Sequence, residues 1–535
     1  MSSQKYGIKN YMKGALLLTI AALIVKVLSA VYRVPYQNLV GDQGFYVYQQ
    51  VYPFISFFVV WTSSGFAVAI SKILADIEAR GGTYLEKRNV TQIIFNYLVF
   101  LAAIFFSLLY FGADSIASFM KDPELASLLK VGSFIALCMP LHAVLKGNYQ
   151  AEGKMKPVAY AQVFEQAIRV SIILIGTILL LNFTQSVYEV GKIAVFGTVI
   201  GEVAGILLLL FFLKGKQEKK LNPTQKTAKW PIVKEVTLYS ITISMSGLLL
   251  LCFQLVDSFT IFKTLIQSGM EPLQAMKVKG IYDRGQPLVQ LGLVIATSLS
   301  LAIVPLVALK SKNKNGRGAA PFIQLTYRST LIFGVAAALG LILVMPYVNQ
   351  LLFKTDTLSQ VLKLYAFQII PLSIILTFTA VLQGYGKLKV PMLFLALSIG
   401  IKYSGNMFFI ASWGVVGAAI ASNIGLTFAA VALIIYLKRI KPIQLANQKF
   451  YGKLAIACGT MIVVVLSVVF LLNLVFSTKL TRSDALIYSG ILVTLGAFSF
   501  ITVVAKLRVL AEKDWFLIPL GRRMASYQLW LNRKK

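Results

Sequence analysis

Acidic side chains are scarce in this chain: its 535 residues carry 20 Asp and Glu against 52 Lys and Arg, with one histidine and three cysteines. Charged residues of both signs make up only 13% of the chain, whereas 57% is hydrophobic and the mean hydropathy is +0.75. Soluble domains carry about 25% charged residues, so a soluble enzyme with an ordinary surface is excluded. With His142 as the only histidine, a His-based zinc site or a Ser-His-Asp triad has nothing further to draw on. Cys138, Cys252 and Cys458 fall far apart inside apolar runs, without metal-ligand partners, and read as packing residues. No P-loop, ATP-binding motif or glycosidase carboxylate pair occurs. No cofactor and no metal is therefore expected, and transport energy would come from an ion gradient, the membrane potential or the substrate gradient. No loop is long enough to form a catalytic domain, which speaks against an enzyme.

What the chain does have is a succession of apolar runs of membrane-spanning length, about 20 residues each. They fall near 13–34, 45–71, 91–112, 127–149, 158–181, 191–213, 236–262, 284–309, 322–353, 359–384, 391–411, 415–437, 453–476 and 485–505. The expectation is an all-α polytopic membrane protein of fourteen helices. The N-terminal Lys5, Lys9 and Lys13 precede an apolar stretch that contains Lys26 and Arg33 and lacks a small-residue cleavage site, so it reads as a retained first helix. Lys and Arg gather in Lys214 to Lys234, Lys310 to Arg317, Lys438 to Lys453 and the tail from Lys506. The intervening loops around Asp114, Lys121, Asp122 and Glu124, and around Glu189, are neutral to acidic. This is the positive-inside pattern, and it predicts both termini in the cytoplasm. The net charge of +32 belongs to these membrane-flanking stretches and to lipid headgroups rather than to nucleic acid.

An internal repeat organises the helices. Gly153-Lys154-Met155-Lys156-Pro157 and Gly386-Lys387-Leu388-Lys389-Val390-Pro391 each open an apolar helix, and sixteen residues beyond each glycine stands a cation, Arg169 or Lys402. Lys130-Val131-Gly132-Ser133-Phe134 and Lys363-Leu364-Tyr365-Ala366-Phe367 begin the fourth and tenth helices, and Leu213-Lys214 and Leu437-Lys438 end the sixth and twelfth. An offset of six helices preserves orientation, so two parallel six-helix lobes are predicted. The lobes are 1–213 and 236–437, joined by a basic cytoplasmic linker at 214–235; residues 438–535 add helices thirteen and fourteen and a basic tail.

Charges inside apolar runs mark functional positions, because isolated ions cost about 2.5–3.5 kcal/mol at the bilayer centre on insertion scales. Lys26 and Arg33 are seven residues apart and share a helical face; an anion or water between them would relieve their repulsion, as would a carboxylate partner for Lys26 with Arg33 at the headgroups. Glu165 and Arg169 are spaced for an intrahelical pair that neutralises itself. Lys402 has no acid in its own helix, and Asp257 and Glu202 are its candidate partners. Arg284 in Tyr282-Asp283-Arg284-Gly285-Gln286-Pro287 is read as the broken start of the eighth helix, matched by Tyr46-Val47-Tyr48-Gln49-Gln50 at the start of the second. Tyr46, Gln49 and Gln286 there suit either a saccharide or an interfacial aromatic belt. Gly65, Gly197, Gly201, Gly205, Gly414, Gly417 and Gly425 permit close helix packing.

These features resemble the polysaccharide transporter (oligosaccharide flippase) family of the multidrug/oligosaccharidyl-lipid/polysaccharide exporter superfamily. The resemblance rests on Lys26-Val27-Leu28-Ser29-Ala30-Val31-Tyr32-Arg33, Val40-Gly41-Asp42, Ser64-Gly65-Phe66 and Ile70-Ser71-Lys72 with the six-plus-six-plus-two helix plan, and it covers nearly the whole chain. Within the family the chain looks closest to the stage V sporulation protein B type and the MurJ-like lipid II flippases. The resemblance implies alternating access in the plasma membrane, with a lipid-linked saccharide diphosphate as cargo and membrane lipids and wall-synthesis proteins as partners. It also implies a cavity lined by cations of the first, second and eighth helices. Lys26, Arg33 and Arg284 match these, although the first-helix spacing is seven rather than six and the second-helix stretch Phe57-Phe58-Val59-Val60-Trp61 is apolar. Some relatives are implied to bind sodium between helices seven, eleven and twelve, where Asp257 and Lys402 stand here. An organic-cation antiporter of the same superfamily, or a membrane-embedded glycosyltransferase or polymerase, is the alternative.

Overall fold

The computed structural model describes residues 17–18, 20–213, 228–311, 317–387, 389–475, 481–515 and 521–533. Lys5, Lys9, Lys13 and most of the expected linker, 214–227, lie outside the described residues. Every regular element among the described residues is helical. In chain order these are α1 (20–31), α2 (Arg33–Val60), α3 (Ala67–Ala79), α4 (Tyr84–Phe111), α5 (Ala113–Phe119), α6 (Leu125–Ala151), α7 (Met155–Leu181), α8 (Val187–Leu213), α9 (Lys229–Gln267) and α10 (Pro272–Asp283). There follow α11 (Gly285–Gly292), α12 (Val294–Ser311), α13 (Ala320–Phe353), α14 (Ser359–Phe367), α15 (Ile369–Gly384), α16 (Lys389–Ile440), α17 (Gln448–Val475), α18 (Arg482–Lys506), α19 (Glu512–Trp515) and α20 (Gly521–Asn532).

Eleven continuous helical stretches among the described residues are long and apolar enough to cross a membrane. Two of them, Ile20–Ala79 with 60 residues and Lys389–Ile440 with 52, are far longer than one crossing requires. Each folds back on itself at a glycine. Gly41 has φ 69° and Gly414 has φ 54°, left-handed values that glycine adopts without a Cβ penalty. Residues on either side then face one another: the Tyr32 and Tyr48 hydroxyls are 2.8 Å apart, and a Cβ on Gly405 would stand 2.9 Å from that of Ala421. The expected helices one and two, and eleven and twelve, are therefore hairpins turned by a single residue. The Ser64-Gly65-Phe66 stretch is part of a π-helical turn, Trp61–Phe66, that widens the helix between α2 and α3.

The eighth helix departs from expectation at its start. It begins at Pro272, twelve residues before Arg284, and runs through α10, α11 and α12 with slight breaks at Arg284 and Leu293. Arg284 is thus deep within a helix, about 18 Å from its first residue by the helical rise. Hydropathy misses α10 because Gln274, Lys277, Lys279 and Asp283 interrupt it; of these, Lys279 donates to both carboxylate oxygens of Asp283 at 2.6 Å, while Gln274 and Lys277 are exposed.

Contacts divide the chain into two compact units, one ending at Asp283 and the other beginning at Arg284. In the first unit a core of side chains from the π-helical turn, α3, α4, α6 and α9, including Phe66, Ile70, Ile94, Met139 and Leu248, packs beside the hairpin of α1 and α2. Glycines 197, 201 and 205, one turn apart on α8, lie against Ile172, Arg169 and Glu165 of α7, close enough that any Cβ would crowd them. In the second unit α13, α17 and α18 share a core with Trp515 and Ala525 from the short terminal helices. Both units expose large apolar side chains, among them Phe100, Phe111 and Phe211 in the first and Phe408, Phe470 and Leu474 in the second. Apolar outside and polar at selected points inside is the distribution lipid demands.

Each copy of the repeated Gly-Lys motif makes the same turn. Gly153 N–H donates to the Gln150 carbonyl and Lys154 N–H to that of Tyr149, at 3.0 and 2.8 Å. Gly386 and Lys387 donate to Gln383 and Leu382, both at 2.9 Å. Both glycines have φ 71°. These are Schellman caps, which satisfy carbonyls left open at a helix end.

Candidate functional site

The hairpin of α1 and α2 carries the main cation. Along α1 the exposed Ile20, Ile24, Val27 and Val31 form one apolar stripe, while Lys26 and Arg33 lie roughly opposite it at 100° per residue. Lys26 is exposed. Arg33, just past the turn at Tyr32, is fully buried. Its guanidinium carbon sits 4.3 Å from the centre of the Tyr52 ring, and none of its three nitrogens has a partner in hydrogen-bond geometry, although the Tyr32 and Tyr52 hydroxyls lie within interaction range. Tyr32, Tyr48 and Tyr52 are its electrostatic neighbours, and Tyr36 stacks edge-on against Tyr48. A guanidinium carries five N–H donors. Buried in a tyrosine cage with those donors unspent, it has the chemistry of an anion receptor.

Around this cation the first unit arranges further polar groups. Asp283 lies within electrostatic reach of Arg33 and Asp257 but is claimed by Lys279. Asp257 accepts from the Tyr282 hydroxyl at 3.3 Å. Gly280 brings α10 onto the Gly41 turn so closely that a Cβ would stand 2.1 Å from the Asp42 carbonyl oxygen. Gln37 donates to the Asp42 carboxylate at 2.8 Å, steadying that turn.

The remaining residues marked from the sequence take varied positions. Tyr46 is buried, and its hydroxyl donates to Asp122 at 3.0 Å, as does that of Tyr188. Burial raises the Asp122 carboxyl above the ordinary range, and the two tyrosine hydrogen bonds pull it back down. Gln49 is buried in the same helix, and Gln50 donates to the Ser258 carbonyl at 3.2 Å. In the second unit Arg284 is fully buried, donates to Asn349 at 3.0 Å and lies 5.0 Å from the Phe353 ring centre. Asn349 is itself held by the Thr357 carbonyl and the Ser359 hydroxyl. Gln286, two residues further on, is also buried. Lys402, also fully buried, donates to the Ser422 hydroxyl across the Gly414 hairpin, while Glu202 engages His142 and Arg169. A cavity of about 790 Å³ in the second unit has a mainly apolar lining that includes Ile342, Phe367 and Ile420, with Gln360, Lys363, Asn423 and Thr427 among its border residues.

Arg169 bonds to Glu165 at 3.0 Å, the intrahelical pair its spacing allows, and reaches Glu202 at 3.4 Å. His142 and Lys146 of α6 join them. The i,i+4 spacings of Glu165 with Arg169, of His142 with Lys146 and of Lys279 with Asp283 are the traces of these arrangements in the sequence. The meeting of three helices on one cluster leaves no local pattern.

Comparison with known proteins places this architecture. A family model described as polysaccharide biosynthesis protein matches residues 11–309. From Bacillus subtilis (strain 168), the uncharacterized membrane protein YabM is 35% identical over 97% of both chains. Lipid II flippase MurJ of the same organism is 23% identical over 80% of this chain and 82% of its own, and stage V sporulation protein B is 24% identical over 84% and 88%. Among solved structures, lipid II flippase MurJ in an inward closed conformation superposes with TM-score 0.69 at 16% identity, covering 92% of this chain and 99% of that one. An inward-facing multidrug resistance MATE family transporter of the MOP superfamily gives 0.61 at 16% identity, covering 80% and 98%. At this identity the structural likeness speaks for the fold.

Proposed function

Because the chain belongs to the polysaccharide biosynthesis protein family and has the fold of MOP-superfamily membrane transporters, we propose that it is a flippase. Its cargo is an undecaprenyl-diphosphate-linked saccharide or peptidoglycan precursor, which it carries across the plasma membrane by alternating access. The observation that carries this reading is Arg33, a fully buried guanidinium without a hydrogen bond. A buried ion needs a counter-charge, and the neighbouring Asp283 is already claimed by Lys279. A diphosphate supplies the missing acceptors through charge-assisted bonds. The exposed Lys26, on the same side of the helix, meets the anion first; Arg33 takes it when the turn at Tyr32 opens its cage. Arg284, which resembles the family's eighth-helix cation, is a candidate anion contact in its own right. The relative named a lipid II flippase supports a cargo of this class. Glu165, Glu202 and Asp283 are engaged by cations, which speaks against an organic-cation antiporter.

The test is translocation of a lipid-linked diphosphate saccharide in reconstituted vesicles. Arg33→Ala and Lys26→Ala each lose about ten- to hundredfold in rate, as expected from ~1.5–3 kcal/mol per charged hydrogen bond. Abundance and thermal stability stay close to those of the parent chain. Full activity of both variants overturns the assignment.

A further inference from the structure

Inside the first unit, α6, α7 and α8 bury a cluster that the anion site does not use. His142 Nδ1 bonds to Glu202 Oε2, and on the other side of the ring Nε2 faces Glu165 Oε2 at 3.8 Å. Neither atom of that facing pair makes a hydrogen bond. The imidazole is fully buried, and Glu165 and Glu202 are 6% and 2% exposed. Lys146 donates to the Ser63 hydroxyl of the π-helical turn at 2.9 Å and stands 3.5 Å from Glu165 Oε2. Arg169 bridges the outer oxygens of both glutamates. With a neutral imidazole the charges cancel, two carboxylates against one ammonium and one guanidinium.

We infer that this cluster is a binding site for one exchangeable proton, held between Nε2 of His142 and Oε2 of Glu165. In the empty state Nδ1–H donates to Glu202, and the Nε2 lone pair faces a carboxylate across a gap too long for a hydrogen bond. An incoming proton gives the two atoms a shared hydrogen and draws them together. No bond other than that to the proton forms or breaks, and the cluster passes from neutral to +1. A divalent metal fits less well, although one donor atom from each of His142, Glu165 and Glu202 lies within 4.8 Å of the others. Lys146 and Arg169 already occupy the same carboxylates, and a dication would leave +2 in a dry interior.

The groups facing the site from the packed elements are Cys138 and Lys146 of α6, Arg169 of α7 and Glu202 of α8, with Tyr32, Tyr48 and Tyr52 of the hairpin beyond Arg169. Arg169, 12% exposed, reaches electrostatically from the glutamates to the tyrosines around Arg33. A loaded cluster therefore raises the positive potential on the side where the hairpin holds its cation. Linkage makes that effect reciprocal. The proton site stands on the geometry of the cluster alone, whatever the cargo.

Because His142 is the only histidine in the chain, the full-length protein labelled with ¹⁵N-histidine and carrying no histidine tag reports on one imidazole. In nanodiscs titrated between about pH 4 and 9, spanning the range where imidazole and carboxyl groups exchange protons, the Nε2 resonance shows one step from a bare to a hydrogen-bonded nitrogen. Glu165→Gln offers Nε2 a permanent N–H donor and abolishes the step. Glu202→Gln leaves the gap but removes a negative charge, and it lowers the midpoint by about 1–3 pH units. Micromolar Zn²⁺ leaves the spectrum unchanged. A pH-invariant Nε2 in the parent protein, an unaltered step in Glu165→Gln, or an unmoved midpoint in Glu202→Gln each overturns the proposal. Stoichiometric Zn²⁺ binding would replace it with a metal site. These outcomes are independent of the flipping assay, so a change of cargo leaves the proton site standing and a silent histidine leaves the flippase standing.

Discussion

One absent methyl group sets how closely α10 approaches the turn at Gly41. A Cβ on Gly280 would sit 2.1 Å from the Asp42 carbonyl oxygen, which is main chain and cannot swing away. Gly280→Val must therefore push α10 off the turn, at a cost of about 1–3 kcal/mol typical of overpacking. Gly340→Val, where a Cβ meets nothing within 4 Å, is the matched control and should leave stability unchanged. Thermal unfolding of the two variants in the same detergent checks this, and equal midpoints would remove the close approach as a constraint. At this scale the sequence is most legible where charge interrupts an apolar run, as at Lys26, Arg33, Glu165, Arg169, Arg284 and Lys402. It is least legible where partners are remote: Tyr46 meets Asp122 across 76 positions, and Ser63 meets Lys146 across 83. Nothing in the spacing of those residues announces the contact.

Helix ends preserve the duplication most plainly. The Schellman caps at Gly153 and Gly386 share hydrogen-bond pattern and backbone angle, and in both a Cβ would find open space. Strain at positive φ is then the only cost of alanine there, about 1 kcal/mol for each of Gly153→Ala and Gly386→Ala. Chemical denaturation midpoints should fall by similar amounts in the two single variants, and a loss confined to one would show that the caps are unequal. Hydropathy placed most helices within a few residues because lipid-facing apolar runs are long and continuous. It failed at α10, whose Lys279 and Asp283 pair with each other, and it ended the second helix near residue 71, whereas α3 continues to Ala79. It also could not show that Arg284 lies a dozen residues inside its helix, since the polar lead-in looks like a loop until its partners are known.

For the molecule as a whole, the basic stretches alternate with neutral to acidic ones in step with the helices. The turns after α3 and α6 and the segment after α16 fall on one expected side, and Gly41, Asp122 and Gly414 on the other. We expect both termini on the cytoplasmic side by the positive-inside rule. A cysteine placed near either end of a cysteine-free variant should react with a membrane-impermeant maleimide only after cells are permeabilised. Labelling of either end in intact cells would reverse the topology and, with it, the leaflet from which cargo is taken. The fold was readable because composition, length and repeat all pointed to one architecture. The cluster of His142, Glu165 and Glu202 was not, because it is assembled by packing.

The internally paired α10 bears on how the protein is made. A helix of twelve residues interrupted by Gln274, Lys277, Lys279 and Asp283 gains little from entering hydrocarbon by itself, and its ionic groups would be costly there. It needs α2 already in place to receive it, with Gly280 seated against the turn at Asp42. Synthesis from the N-terminus delivers the receiving hairpin more than two hundred residues earlier. The order of the chain thus serves as an assembly schedule, in which a helix that carries a buried ion pair is inserted by docking onto protein rather than by partitioning into the bilayer.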